Sequence, residues 1–260
     1  LLAEDNGVNQ VVARNMLKAM GCSFEVVGDG QRALDALRAG RFDLVLMDCQ
    51  MPLMDGFAAS RAIRVREAAT GRHVPIVALT ANALVGDAED CIAAGMDDHL
   101  AKPYTRKQLA RALARWLPAA RVRVAPTEAA TPAPLPTLPM RGGEEDVLDA
   151  SALANIRAID EDGSVLVEVV QMYLDEAPRH VRALHAALNG GDPAELGRIG
   201  HAFKSASFNV GAKQVGEACR RLERLGKAGE LTGAAELVAT IDGLLRQAEP
   251  LLRAEMGQTA

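Results

Sequence analysis

The first half of the chain alternates short apolar runs with amphipathic stripes of helical spacing. The apolar runs predict strands, and they are Phe24–Val27, Leu44–Met47, Ile76–Leu79 and the weaker Asp98–Ala101. Between and after them apolar residues recur every three or four positions, as in Leu84, Ala88 and Cys91 or in Leu109, Leu113 and Trp116, which predicts helices. Strands that alternate with helices predict a parallel sheet covered on both faces. The site of such a fold lies beyond the carboxyl ends of its strands.

The second half contains no strand-like run and is rich in Ala, Leu, Glu and Arg, which favour helices. Asp192-Pro193 is typical of a helix start, since Asp caps the first turn and Pro fits its first position. Asn189-Gly190-Gly191, just before it, indicates a break. Helices are predicted at about 150–158, 164–188, 193–209, 212–228 and 233–254. This pattern predicts an antiparallel helical bundle.

A proline-rich stretch separates the two halves. Six of the 12 prolines fall between Pro118 and Pro139, among many Ala and Thr residues and almost no large apolar ones. Such a segment cannot bury enough surface to fold. We therefore predict one domain at 1–117, a linker rich in Ala and Pro at 118–146, and a second domain at 147–256.

Composition agrees with two globular domains and excludes several classes of protein. The 260 residues are 49% hydrophobic and 24% charged, and no apolar run approaches the roughly 20 residues that span a bilayer. The formal charge is −5 and neither half is basic, which argues against nucleic-acid binding. No secretory leader opens the chain, and the four cysteines lack metal-ligand spacing. Reduced thiols and a cytoplasmic location without membrane contact are therefore expected.

Polar side chains cluster where the predicted strands end. Glu4 and Asp5 follow the apolar residues at the start of the chain, and Asp48, Thr80 and Lys102 follow later runs. In a parallel sheet these points meet at one edge, where crowded carboxylates repel one another unless a cation lies among them. Mg²⁺ suits a few carboxylates together with a carbonyl and phosphate oxygens. Such a set can stabilise the transfer of a phosphoryl group to a carboxylate.

These segments strongly resemble a response-regulator receiver domain, over residues 1–117. The motifs that carry the resemblance are Ala3–Asn6, Leu46–Gly56, Leu79–Ala83 and Ala101–Pro103. The resemblance implies an α/β fold of the (βα)₅, flavodoxin-like kind, with sheet order 2-1-3-4-5. The chain departs from the family at two points. Only three residues precede Glu4, so a clipped first strand is expected, and His99 stands where receivers usually carry Tyr or Phe.

The same resemblance implies a role for each polar residue at the strand ends. Asp48 would be the phosphoacceptor, while Thr80 and Lys102 would bind the phosphoryl oxygens. The metal is expected to be Mg²⁺, and the implied ligands are Asp5, Asp48, the main-chain carbonyl of Gln50 and, mainly through water, Glu4.

One histidine of the second half lies opposite an apolar seam. The seam of the predicted helix 193–209 consists of Leu196, Ile199, Phe203, Ala206 and Val210. At about 100° per residue, His201 falls on the opposite side, together with Lys204 and Ser205. His201 is therefore predicted to point at solvent.

The segment His201–Ala212 resembles the signature of a histidine phosphotransfer (HPt) domain, and the likeness spans about 147–256. The downstream residues that fit are Val215, Cys219, Leu222 and Glu223. The resemblance implies an antiparallel four-helix bundle in which His201 carries a phosphoryl group and Lys204 offsets its charge. Ser205 stands where the family often has Gly. Cys219 lies in a core stripe, which favours a buried structural thiol.

A receiver followed by an HPt domain resembles the C-terminal part of a hybrid sensor histidine kinase. No ATP-binding kinase module lies in these residues, so the expected role is phosphotransfer within a larger kinase. The expected partners are an upstream histidine kinase core of the same native chain and a downstream response regulator. Segments upstream would anchor the parent protein in the inner membrane.

Three alternatives stay open at this stage. An aspartyl-phosphate phosphatase would need an acid two residues after its nucleophile, where this chain has Gln50. An interaction module that is never phosphorylated would not need the set of Asp5, Asp48, Thr80 and Lys102. A DNA-binding regulator would need a basic recognition helix, which the second half lacks.

Phe208 allows two interpretations. By the helical spacing it lies on the face of His201, about two turns further along. It either folds back onto a neighbouring helix of the bundle or forms an apolar anchor where the two domains dock.

Overall fold

The computed structural model describes residues 1–80, 85–117, 147–160 and 162–257. The first half contains strands β1 Leu2–Ala3, β2 Val26–Val27, β3 Val45–Asp48, β4 Ile76–Thr80 and β5 Asp98–Ala101. Its helices are α1 Gly7–Ala19, α2 Gly30–Ala39, α3 Gly56–Thr70, α4 Val85–Ala93 and α5 Arg106–Trp116. The predicted linker at 118–146 lies outside the described residues, and the domain boundaries therefore stay a prediction.

The five strands form one parallel sheet in the order β2-β1-β3-β4-β5. Every residue of β3 and β4 is buried, because α1 and α5 cover one face of the sheet and α2, α3 and α4 cover the other. The continuous apolar runs of the sequence reflect this two-sided burial. The predicted flavodoxin-like (βα)₅ fold is confirmed.

Short polar side chains begin the helices that start beside the carboxyl ends of the strands. Asn6 caps α1 by accepting the N–H of Asn9 at 3.0 Å, and Asp55 caps α3 in the same way. Thr105 and Gln108 form a reciprocal capping box at the start of α5. These caps anchor the loops in which the polar residues of the site lie.

The described residues of the second half form helices joined by short turns. Its helices are α6 Ala150–Arg157, α7 Ser164–Asn189, α8 Pro193–Asn209, α9 Lys213–Ala228 and α10 Ala234–Gly257. The last four form a bundle in which each helix packs against two others, as predicted. Asp192 caps α8 and Pro193 occupies its first turn. The predicted seam of α8 is buried at all five positions.

Glycines allow α8 and α9 to pack unusually closely. A Cβ atom on Gly226 would lie 2.4 Å from the Cα of Gly197, and one on Gly200 would lie 3.1 Å from the main-chain nitrogen of Glu223. A side chain at any of these positions would therefore push the two helices apart. The close approach brings residues of α9 beside the helix face that carries His201.

The two halves meet through α1, which packs against α7 and α8. Arg14 of α1 forms an ion pair with Glu168 of α7 at 3.0 Å, and about half of each side chain stays exposed. Nearer the carboxyl edge of the sheet the contact becomes buried and polar. None of the described helices is long and apolar enough to cross a membrane.

Candidate functional site

Three carboxylates converge at the carboxyl edge of the sheet. Glu4 and Asp5 follow β1, Asp48 ends β3, and one oxygen from each lies within 4.8 Å of the others. Gly56 makes room for this arrangement, because a Cβ atom there would lie 2.1 Å from the carbonyl oxygen of Asp48. The structure thus brings together the acidic residues that the sequence indicated.

Lys102 supplies a positive charge to this acidic pocket. Its Nζ donates to Oε2 of Glu4 and to Oδ2 of Asp48, each at 2.6 Å. Burial alone would favour the neutral amine, but the two carboxylates raise the pKa of Lys102 well above its usual range. The lysine is therefore held as an ammonium ion against the side chain of Asp48.

One ammonium does not balance three carboxylates. Burial, followed by the charge of Asp48, raises the pKa of both Glu4 and Asp5 above their usual values, against the opposing effect of Lys102. A small cluster of carboxylate oxygens that lacks positive charge is the donor set that a hard divalent cation prefers. The residues present therefore fit Mg²⁺.

The remaining residues predicted for this edge of the sheet lie on β4, on β5 and directly after β3. Thr80 ends β4 and is buried, and it pairs in register with Ala101 next to Lys102. The main-chain N–H of Gln50 donates to Oδ1 of Asp48 at 3.3 Å. His99 lies on β5, and it is exposed.

His201 is buried, so the prediction that it points at solvent is wrong. His201 is 8% exposed, and its Nδ1 lies 3.0 Å from Oε1 of Glu223 on α9. The helical spacing located one apolar seam of α8 correctly, but α9 packs against a second face because Gly197 and Gly200 admit it. The other half of the molecule then covers the helix next to His201.

Glu223 is the acceptor at the centre of this second site. It receives the Nζ of Lys204 at 2.5 Å and the Nζ of Lys227 at 2.8 Å, besides Nδ1 of His201. Burial alone would raise the pKa of Glu223, but the hydrogen bond to His201 and the charge of Lys204 hold it well below its usual range. Since a carboxylate only accepts, the neutral imidazole of His201 carries its proton on Nδ1 and its lone pair on Nε2.

One cleft joins the acidic pocket to the histidine. This cavity of about 450 Å³ is lined on one side by Asp5 and Gln50 and on the other by Arg198, His201 and Lys227. Asp5 and Gln50 flank Asp48 in space, so the cleft connects the surroundings of both predicted phosphoryl carriers. Lys204 is almost fully buried behind the histidine and faces Glu223.

Comparison with protein families identifies both halves. Residues 1–114 match the response regulator receiver domain, and residues 168–255 match the Hpt domain. This chain joins a receiver domain to an Hpt domain. Both are domain families of phosphorelay signal transduction.

Hybrid sensor kinases are among the relatives. Sensor histidine kinase GacS of Pseudomonas protegens is 33% identical over 238 residues, which cover 91% of this chain and 25% of that protein. The chain thus spans about a quarter of the length of this relative. Among solved structures is the receiver domain of sensor histidine kinase PA1611 from Pseudomonas aeruginosa, which has a magnesium ion in its active site cleft. It is 51% identical, with a TM-score of 0.41, and the match covers 44% of this chain and 93% of that one. HptB of the same organism is 29% identical, with a TM-score of 0.41, over 44% and 96%.

Three residues at the histidine site have no role predicted from the sequence. Glu223 only fits the resemblance, and Arg198 and Lys227 carry no motif. The signal for Glu223 was present, because an acid follows directly on the apolar stripe of Val215, Cys219 and Leu222 in α9. Cys219 is fully buried, as the stripe predicted.

The sequence pattern also does not reveal the residues of α1 and its N-cap that dock the Hpt domain. Asn6 donates to the carbonyl oxygen of Ala202 at 3.3 Å, and Asn9 bonds to Ser205 at 3.0 Å and Asn209 at 2.7 Å. Their sequence pattern resembles an ordinary solvated helix face. No signal in the sequence distinguishes a polar docking face from such a surface.

Phe208 combines features of both interpretations. Its ring lies 5.0 Å below the guanidinium of Arg220, and a Cβ atom on Gly216 would touch it at 2.9 Å, so it folds onto α9. It also lines a small cavity together with Met16 and Tyr104 of the receiver domain. Phe208 therefore belongs to the bundle and to the docked surface at once.

Proposed function

We propose that Asp48 accepts a phosphoryl group from a kinase phosphohistidine and passes it to His201 for delivery to a downstream response regulator. The observation that carries this proposal is the shared cleft, in which His201 faces Asp5 and Gln50 on either side of Asp48. A donor and an acceptor that line one cleft have the proximity that direct transfer requires.

Mg²⁺ is the cofactor of this proposal. Asp5, Asp48 and the main-chain carbonyl of Gln50 would hold it, with Glu4 acting mainly through water. When bound, it neutralises phosphoryl oxygens and the carboxylates around them. The charge deficit of the pocket, seen in the raised pKa of Glu4 and Asp5, supports this assignment.

In the loading step, the P–N bond of the donor phosphohistidine breaks while a P–O bond to the carboxylate of Asp48 forms. Lys102, which already lies 2.6 Å from Oδ2 of Asp48, and Thr80 bind the oxygens of the moving group. Little covalent assistance is needed, because positioning and charge stabilisation account for most of the catalysis of phosphoryl transfer.

In the second step, the P–O bond to Asp48 breaks while a P–N bond to Nε2 of His201 forms. No proton has to leave Nε2, because the ring proton sits on Nδ1 and stays in its hydrogen bond with Glu223. The positive charge that develops on the ring is stabilised by that carboxylate. Lys227 and Arg198 line the cleft and offset the charge of the phosphoryl group.

The whole protein is, in this proposal, a hybrid sensor histidine kinase. A kinase core of the same native chain supplies the phosphoryl group, and segments outside these residues anchor the parent protein. The two modules work at the cytoplasmic side, where the response regulator that receives the group from His201 is found.

The experiment incubates the full chain with acetyl phosphate and follows intact mass, with an expected gain of about 80 Da per phosphoryl group. Asp48→Asn or EDTA should abolish all labelling. In the wild type, part of the label should become stable to alkali and labile to acid, as a phosphohistidine is, and His201→Gln should remove that part. His185→Gln, an exposed histidine of α7, is the matched control. Labelling that survives Asp48→Asn, or an alkali-stable label that survives His201→Gln, would contradict the proposal.

A further inference from the structure

Asn9 stands between the acidic pocket of the receiver domain and helix α8 of the Hpt domain. It is 4% exposed. Its Nδ2 donates to Oε1 of Glu4 at 2.8 Å and to Oγ of Ser205 at 3.0 Å. Its Oδ1 accepts from Nδ2 of Asn209 at 2.7 Å. Every hydrogen-bonding group of this buried amide therefore has a partner, and two of the three partners belong to the Hpt domain.

Glu4 fixes which way round the amide of Asn9 points. Oε1 of Glu4 also receives the main-chain N–H of Asn6 at 3.3 Å, and its other oxygen receives Lys102 at 2.6 Å. Both oxygens of Glu4 thus act as acceptors, so the NH₂ group of Asn9 must face Glu4. Against the ionised carboxylate of Glu4, a reversed amide would place two buried oxygens next to each other without a donor, which is costly.

The Hpt domain complements this fixed orientation. Because Oδ1 of Asn9 points at α8, the residue opposite must donate, and Asn209 does so through its own amide. A carboxylate of the same shape at position 209 could only present oxygen to oxygen. Asn9 could not turn over to accommodate it without losing its bond to Glu4.

We propose that Asn209 is a specificity-determining residue of the Hpt domain, which selects a receiver whose first helix presents a side-chain amide oxygen at the position of Asn9. This inference rests on the proposed function, since it concerns the docking that brings Asp48 and His201 together. It also defines the downstream partner by its chemistry. A response regulator that takes the group from His201 uses the same face of α8 and needs an amide there, oriented by an acid that follows its first strand.

The experiment uses the full chain, loaded at Asp48 with acetyl phosphate and Mg²⁺, and follows the first-order appearance of the alkali-stable label at His201. Asn209→Asp keeps the shape but removes the donor, and it should slow transfer at least about tenfold while loading of Asp48 stays unchanged. Asn209→Gln keeps a donating amide and should stay within about threefold of the wild type. Asn155→Asp is the matched charge control, because Asn155 is exposed on α6 and lines the same small cavity as Asn209.

A wild-type rate in Asn209→Asp would overturn the inference. So would an equal loss in Asn209→Gln or in Asn155→Asp, because either result would assign the effect to shape or to charge. If Asn209→Asp weakens the end of α8, Asn209→Glu can be compared with Asn209→Gln instead. These two side chains have the same shape, and only Gln can donate a hydrogen bond. A wild-type chain that loads Asp48 but never labels His201 would instead contradict the proposed function itself.

Discussion

At the scale of single residues, the Hpt site is organised around Glu223, which accepts from His201 and from two lysines. The carboxylate sets the tautomer of the histidine, and the lysines balance its charge inside the bundle. Removing the charge of Glu223 leaves Lys204 without a counter-ion in a position that is almost fully buried. A broken buried pair of this kind is strongly destabilising.

Glu223→Gln should therefore lower the stability of the Hpt domain by about 3 kcal/mol at neutral pH. The folded-state pKa of Glu223 lies below its ordinary value of 4.5. The extra stability of the wild type over Glu223→Gln is therefore fully present above pH 4.5 and is lost as the pH falls from there through the folded-state pKa. Hydrogen exchange of α9 amides, measured across that range, checks both statements because it reports on this domain alone.

The control for this experiment is Glu217→Gln. Glu217 lies on the same helix, but it pairs with Arg220 near the surface, where an ion pair contributes little. If the wild-type Hpt domain kept its full extra stability over Glu223→Gln in acid, the lowered pKa of Glu223 would be contradicted.

At the scale of helices, the close contact between α8 and α9 is what places Glu223 against His201. Gly200→Ala adds a Cβ atom 3.1 Å from main-chain atoms of Cys219 and Glu223, which cannot move aside as a side chain can. The helices should separate slightly, at a cost of about 1–3 kcal/mol in stability. Transfer from Asp48 to His201 should slow at least about tenfold, since small misplacements of reacting groups are costly.

Gly243→Ala is the matched control for this substitution. Gly243 lies within α10, where an added Cβ atom would meet nothing within 4 Å. That substitution should raise stability by about 0.5–1 kcal/mol through helix propensity and leave transfer unchanged. Equal behaviour of the two variants, measured by thermal unfolding and by the transfer rate, would show that the α8–α9 contact does not position the site.

The helices and strands could be predicted from the sequence because each has its own apolar pattern. The seam of α8 and its start at Asp192-Pro193 lie where they were expected. The burial of His201 could not be predicted, because a helical wheel shows one apolar face and α8 has further partners. Those partners approach along glycines and polar residues, and neither leaves an apolar signal.

The candidate site was predictable to the same extent. Glu4, Asp5, Asp48 and Lys102 lie at the carboxyl ends of β1, β3 and β5, and a parallel sheet brings such positions to one edge. The docking residues Asn6, Asn9 and Asn209 were not predictable, since their partners lie about 200 positions away in the sequence. Polar contacts between domains depend on a relative position that no local pattern encodes.

At the scale of the whole molecule, the ion pair of Arg14 with Glu168 holds the domains together outside the cleft. Arg14→Glu places two carboxylates opposite each other, and their repulsion should undock the Hpt domain more often. The increase should be only about two- to fivefold, because both side chains are nearly half exposed and solvent screens their charges. The frequency of undocking can be measured by the rate at which diethyl pyrocarbonate modifies His201. The double variant with Glu168→Arg should restore the wild-type rate, and added salt should shrink the difference. Modification that is equally fast in all three chains would exclude a role of this pair in docking.

The burial of His201 under its own receiver domain has a kinetic consequence for output. In the proposed relay, a histidine that is 8% exposed in the docked chain cannot be reached by a second receiver at the same time, so the two receivers would compete for one face of α8. Covalent connection gives the receiver of this chain an effective concentration of order mM. A response regulator present at about 1 μM would need an affinity roughly a thousandfold higher, or about 4 kcal/mol, to occupy the histidine half of the time. The rate of signal output would then depend on how often the two domains part, and a weaker internal contact would speed delivery while slowing supply.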